Sequence, residues 1–173
     1  MTEREPVEIT SLDCDQYPTL PWSRPRDFLT AGVGMASTSF LGTTRPDGRP
    51  HAAGIGPVWF EGDLYFHSSP GARKARNLAA CRLCTISVRL TDLDLVLEGE
   101  AARVTDRPTL EQVARRFHGV GWQPEVVGDA LTAPFNAPSA GPPPWHLYRF
   151  TIHTAFGVAI AEPFGATRWC FTG

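Results

Sequence analysis

The sequence almost lacks lysine. Of its 16 basic residues one is a lysine, Lys74, and the others are arginines. Net charge is −2, so no broad positive field is available for nucleic acid or an anionic membrane, and any anion site must be a local cluster. Cysteine is scarce too, with four residues at positions 14, 81, 84 and 170. Cys81 and Cys84 make a lone C-x-x-C. Neither a second pair nor paired histidines accompany it, as a zinc site would require, and two reduced thiols at a helix–strand junction fit better. The five histidines (51, 67, 118, 146 and 153) show no metal spacing, and no metal is expected. No apolar run approaches the roughly 18 residues of a membrane span. The opening MTEREPVEIT is polar and acidic, unlike a secretory leader. The expectation is a cytoplasmic protein that binds neither membrane nor nucleic acid.

Several motifs are also missing. There is no Walker sequence and no G-x-S-x-G elbow, so hydrolase chemistry has no support. GVGMAS (32–37) only half resembles a dinucleotide fingerprint, and no βαβ unit surrounds it. Glu98 and Glu100 alternate on one strand, as solvent-facing carboxylates do. At 173 residues the chain suits one domain, and it can bury roughly 70% of its unfolded surface without staples. We divide it into an N-terminal arm, 1–21, and a single domain, 22–173.

What is present reads as strands with helices between them. LPWSRPRDFLTAG (Leu20–Gly32) resembles a short helix, with Ser23 as cap and Gly32 as stop. Ser37–Thr44 is β-branched and aromatic, and the Asp-Gly of RPDGRP (45–50) is a strong hairpin signal. The return strand spans His51–Phe60, with Gly54, Gly56 and Pro57 marking a bulge or a close backbone approach. Strands follow at Leu64–Ser68, Cys84–Leu90 and Leu93–Asp106. Between the first two lies a helix for which Ser69 suits the cap and Pro70 the first turn. Asp106 can cap a further helix, in which Leu110, Val113, Ala114 and Phe117 share a face. Beyond His118 the chain is irregular and proline-rich, and Leu147–Ile160 and Ala166–Phe171 close it as strands. Six or seven antiparallel strands with two or three helices are predicted, because tight hairpins cannot join parallel strands.

The lysine sits at an odd place. Arg73, Lys74 and Arg76 crowd the first turns of a helix, where the dipole disfavours cations. Ser68-Ser69-Pro70-Gly71 precedes them with hydroxyls and free amides. A bound phosphate would turn the dipole penalty into an attraction; a solvated cationic helix face is the other reading.

In order and spacing, TTRPDGRPHAAGIGPVWFEGDLYFHSSPGARKARNLAA (43–80), LVLEGEAARVTD (95–106), a helix and the terminal ATRW-F resemble the pyridoxamine-phosphate-oxidase-like family, from about Trp22 to Phe171. This superfamily holds flavin (FMN) and deazaflavin (coenzyme F420) enzymes. The resemblance implies a mainly β fold, a six-stranded antiparallel split β-barrel of the FMN-binding type. It also implies a homodimer with a cofactor in each of two interface clefts. The strand after the Asp-Gly hairpin would lie along the cofactor ring, here Gly56, Pro57, Val58 and Trp59. The next strand and helix would grip phosphate through His67, Ser68, Ser69, Arg73 and Lys74, with Asn77 nearby. The terminal Thr167, Arg168 and Trp169 would reach a cofactor cleft, often the other subunit's, although Trp169 equally suits barrel packing.

The chain departs from pyridoxamine phosphate oxidases proper at its end. Their arginine-rich, proline-containing motif is replaced by ATRWCFTG, which argues against vitamin B6 oxidation. Cys170 stands where close sequences carry a second arginine. In the loop 119–146, Phe135, Trp145 and His146 either line a pocket for a small-molecule substrate or pack on the surface. The expectation is an FMN- or F420-dependent oxidoreductase in which the cofactor supplies the redox chemistry and no side chain acts as nucleophile. The alternative is a flavin or haem carrier or sensor on the same barrel, with His67 as the one histidine a haem could find.

Overall fold

The computed structural model describes residues 4–13, 17–32 and 38–171. Cys14 lies outside them. The Asp-Gly turn joins β2 (Ser39–Thr44) to β3 (Pro50–Ile55) in a hairpin closed by Arg45 N–H on the Arg49 carbonyl at 2.9 Å. The expected single return strand, His51–Phe60, is in fact two. Strand β3 pairs with β2, whereas β4 (Val58–Phe60) pairs with β5 (Asp63–Ser68). The break falls at Gly56-Pro57, since proline has no amide to give to a ladder.

Helix α1 (Ser23–Ala31) precedes this unit, and α2 (Arg73–Ala80) follows it. Neither expected serine cap forms. Ser23 is already helical behind Trp22, and α2 begins behind Ala72 without a side-chain cap. Ser69 instead accepts the Ala72 N–H in a turn ahead of the helix. Next come β6 (Leu83–Arg89) and β7 (Leu93–Val104). In α3 (Arg107–Gly119) the Asp106 carboxylate does cap, accepting from Thr109 N–H at 3.0 Å. A short hairpin, β8 (Glu125–Val127) with β9 (Ala130–Thr132), and a 3₁₀ turn at Pro138–Ala140 interrupt the segment expected to be irregular. The chain then forms β10 (His146–Ala159) and β11 (Ala166–Cys170). The arm also carries a strand, β1 (Glu8–Ser11), paired with β11.

All pairings are antiparallel, and β10 is the spine. Its first half lies between β5 and β7, and its second half between β11 and β7. The register slips between Ile152 and Thr154. There β7 carries Gly99, where a β-carbon would lie 2.0 Å from the Thr151 carbonyl oxygen, so only glycine admits the bulged strand. From β3 the ladders run through β2, β6, β7, β10 and β5 to β4, and the chain itself links β4 back to β3 through Gly56-Pro57. These strands share one core, as a split barrel requires.

Period-two alternation decides which side chains enter that core. Leu41, Ile86, Leu97, Ala155 and Trp169 face one another across five strands and are all 0% exposed. Burying each large apolar side chain contributes about 1.5–3 kcal/mol. One position earlier or later, Phe40, Ser87, Val96, Phe156 and Arg168 form the matching outer row. A second core joins Leu110, Val113 and Phe117 of α3 to Val58, Tyr65 and Leu147. Among the described residues no helix is long and apolar enough to cross a membrane.

Candidate functional site

Where β3 gives way to β4, the barrel opens into a cleft of about 780 Å³. One wall is the Gly54–Pro57 backbone. A β-carbon on Gly56 would meet nothing within 4 Å, so this wall is flat and unobstructed. The opposite wall comes from the end of α3, the Gly119–Trp122 segment and the strap 135–140. Lys74, from the first turn of α2, enters the cleft half-buried, and burial lowers its pKa. Among the described residues it has no carboxylate partner, and none of those lining the cleft is Asp or Glu. The cavity is mainly apolar; among the described residues its polar side chains are Lys74, His67, Asn136 and the hydroxyls of Thr38, Ser68 and Ser139. Ser68 is buried at the end of β5, and its Oγ donates to the Ser69 carbonyl at 3.2 Å.

His67 is the hub of the far wall. Burial pushes its imidazole down to about 4, so the ring is neutral at neutral pH. Asn136 Oδ1 accepts the Ala137 N–H at 2.8 Å, which turns Nδ2 of the same amide toward His67 Nε2 at 3.0 Å. Nε2 is thus the acceptor, and the ring proton sits on Nδ1, which has no partner among the described residues. Trp122 stacks on the His67 ring with centroids 4.2 Å apart and planes 24° apart. Phe117 and Trp145 meet both rings edge-on. Trp122 Nε1 donates to the Phe135 carbonyl at 2.8 Å, and this fixes the indole to the strap.

Of the residues expected at the site, Gly56, Pro57, His67, Ser68, Lys74 and Phe135 line this cleft. The others lie elsewhere. Val58 and Trp59 are buried in the two cores and do not line the cleft. Ser69 faces Gly141. Arg73 is exposed on the β3 side of α2, where, after burial itself and Arg45, it lowers the His51 pKa. Asn77 is fully buried and donates to Thr43 Oγ1 at 2.9 Å, tying α2 to β2. Trp145 is buried with Nε1 on the Ala140 and Gly141 carbonyls, and His146 pairs with Ser68 at the start of β10. At the C-terminus, Thr167 and Trp169 are buried, and Trp169 Nε1 donates to the Leu20 carbonyl at 3.0 Å. Arg168 faces outward beside Glu8 and Thr10. Cys170 shares that outer face. Among the cysteines, burial raises the Cys84 thiol to about 12 and keeps it protonated; Cys81, Cys84 and Cys170 are all free.

Sequence reasoning did not single out Trp122 or Asn136. The only local signal is the glycine pair of HGVGW (118–122), which lets the chain turn back from α3 into the cleft.

A mainly antiparallel barrel with a cleft at the seam between β3 and β4 defines the split-barrel class. The family model described as pyridoxamine 5'-phosphate oxidase matches residues 26–158, and the chain belongs to this pyridoxamine 5'-phosphate oxidase-like family. The fold is similar to that of a conserved hypothetical protein from Mycobacterium tuberculosis, at 17% identity and TM-score 0.61 over 84% of this chain and 88% of that one. It is also similar to a NimC/NimA family protein from Clostridium acetobutylicum, at 17% identity and TM-score 0.57 over 85% and 90% of the two chains. A third likeness is to a pyridoxamine 5'-phosphate oxidase-related, FMN-binding protein from Nostoc punctiforme, at 15% identity and TM-score 0.56 over 89% and 98%. Among curated proteins, none matches the sequence.

Proposed function

We propose that the chain is a flavin-class oxidoreductase whose cleft holds FMN or the deazaflavin coenzyme F420. The observation that carries this reading is Lys74: a half-buried cation without a carboxylate partner among the described residues, in a mainly apolar cleft with a glycine in one wall. A half-buried lysine loses hydration and needs an anion in return. Phosphate at the start of α2 meets that need, and a planar ring fits along Gly56-Pro57. Membership of the family and the FMN-binding relative from Nostoc support the same reading. The bound cofactor would supply hydride or electron transfer to a small organic molecule. The protein's own groups bind, orient and exclude water, with His67 held neutral.

The working unit in this reading is a homodimer. Phe40 and Val96 are 49% and 39% exposed in the outer row that crosses β2, β6, β7 and β10, and this apolar stripe suits a second copy. A dimer would also let the outward-facing Arg168 approach the other subunit's cleft, which its own strand cannot do.

The test is direct. The purified protein is examined for a visible spectrum, any released chromophore is identified by mass, and the apo-protein is titrated with FMN and with F420. Micromolar or tighter binding of one of them is expected, with reduction of an acceptor under turnover conditions. Failure to bind either would end this reading. Binding without turnover would leave a carrier.

A further inference from the structure

We infer that the exposed face of α2 and the base of the β2–β3 hairpin form a docking site for an acidic segment of another protein, held by Arg45, Arg73 and Arg76. None of the three lines the cleft. The inference therefore stands apart from the cofactor reading and leaves Lys74 to the cleft.

Most arginines among the described residues are paired. Arg24 meets Asp92, Arg89 meets Asp94, Arg103 meets Asp129 and Arg149 meets Asp63. Arg45, Arg73 and Arg76 have no carboxylate partner among the described residues. The hairpin holds one acid, Asp47, and Arg49 engages it at 2.7 Å. No Asp or Glu occurs between Asp63 and Asp92, the stretch that contains α2.

The three arginines gather on one surface. Thr43 and Arg45 are two apart, so they share the side of the hairpin that α2 covers, where Asn77 Nδ2 donates to Thr43 Oγ1. Arg73 and Arg76 are three apart and both exposed, which makes them neighbours on α2. His51, opposite Thr43, feels the group. After burial, Arg45, Arg73 and Lys74 lower its pKa, and no carboxylate acts on it. This side of the hairpin is the reverse of the outer face that carries Phe40, so the patch is separate from the proposed dimer stripe.

Such crowding costs stability. Like charges repel, and the dipole at the start of a helix opposes cations as well. Arg45 adds a buried Nε–H without a partner. An anion laid across the three arginines offsets each of these costs. The surface also narrows the kind of anion. Within α2 the exposed residues are Arg73, Arg76, Ala79 and Ala80. None is aromatic, to stack on a base, and none is a large apolar residue, to enter a bilayer. Guanidinium forks among small side chains suit a row of carboxylates.

The experiment is fluorescence anisotropy of a labelled decaglutamate peptide with the full chain. Decathymidylate and vesicles of phosphatidylserine are the comparisons. The peptide is expected to bind more tightly than either, and to weaken about tenfold between roughly 20 and 200 mM salt. The double variant Arg73→Gln/Arg76→Gln, on an exposed helix face, should weaken the peptide by about tenfold, and Arg45→Gln by about threefold. Arg115→Gln removes an exposed cation of α3 instead and should change affinity by less than about twofold. The inference is overturned if the peptide does not bind at low salt, or if Arg115→Gln costs as much as the double variant. It is also overturned if the oligonucleotide or the vesicles bind more tightly than the peptide. Displacement of the peptide by F420, whose side chain ends in glutamates, would overturn it as well, because the patch would then belong to the cofactor. Failure of FMN and F420 to bind, with the peptide result intact, would end the cofactor reading alone.

Discussion

Asn136 donates its amide nitrogen to Nε2 of His67 across 3.0 Å, and this bond ties the proline-rich strap to strand β5. The strap is further held by Trp122 Nε1 on the Phe135 carbonyl and by Trp145 Nε1 on the Ala140 and Gly141 carbonyls. Three side chains, His67 of β5, Trp122 of the turn after α3 and Trp145 just ahead of β10, thus hold down one otherwise irregular segment.

The burial of His67 gives the stability a pH dependence. Burial depresses the folded-state pKa from 6.5 to about 4. In that window the unfolded chain binds the extra proton and the folded one does not. His67's contribution is therefore full above about pH 6.5 and is lost as pH falls toward 4, by roughly 2–3 kcal/mol. Urea unfolding between pH 7 and 4 should show this slope, and His67→Phe should flatten it. An unchanged slope in the variant would place the acid sensitivity elsewhere.

Lys74→Ala should weaken binding of whichever cofactor the protein takes by roughly 1.5–3 kcal/mol, the size of a hydrogen bond to a charged group. Fluorescence titration reads it. Arg73→Ala, on the exposed β3 side of the same helix, should change affinity far less. Equal losses in the two variants would mean a diffuse electrostatic attraction rather than a clamp.

Val96→Glu places a carboxylate in the middle of the outer apolar stripe without touching the core. Light scattering should show the dissociation constant of the proposed dimer rise by at least about tenfold, since burying an unpaired charge at an interface costs several kcal/mol. Circular dichroism should be unchanged. A dimer of undiminished affinity would show that the copies meet on another face.

Gly157 and Trp169 form a size-matched pair. A β-carbon at Gly157 would come within 2.6 Å of the Trp169 ring, and that ring is fully buried. Gly157→Ala should cost roughly 1–3 kcal/mol through overpacking, seen as a fall in Tm of about 2–4 °C per kcal/mol.

The sequence makes visible those parts that depend on near neighbours. Asp106 and four apolar residues at helical spacing define α3, and Asp47-Gly48 defines a hairpin. Strand β1 is invisible because its only ladder partner, β11, lies about 160 residues away. Strand β4 is hidden because the β-rich run continues past Gly56-Pro57 while its pairing partner changes from β2 to β5. At the site, Lys74 drew attention by sitting at the wrong end of a helix dipole. Trp122 gives no such sign, since its place is fixed by stacking on His67 across the fold. Period-two alternation carries one more lesson: Arg168 and Trp169 are neighbours in a strand, so they face opposite sides and cannot line one cleft together.

Strand β1 also determines how the protein meets other extended chains. With Glu8–Ser11 paired along it, β11 has no open hydrogen-bonding row. Remove the residues through Ser11 and that row becomes a template on which any exposed strand could zip, including one from another molecule. In the intact chain strand β1 is the edge instead, only four residues long and rich in charged and hydroxyl side chains, which offers a passing strand a shorter and more polar row than β11 would.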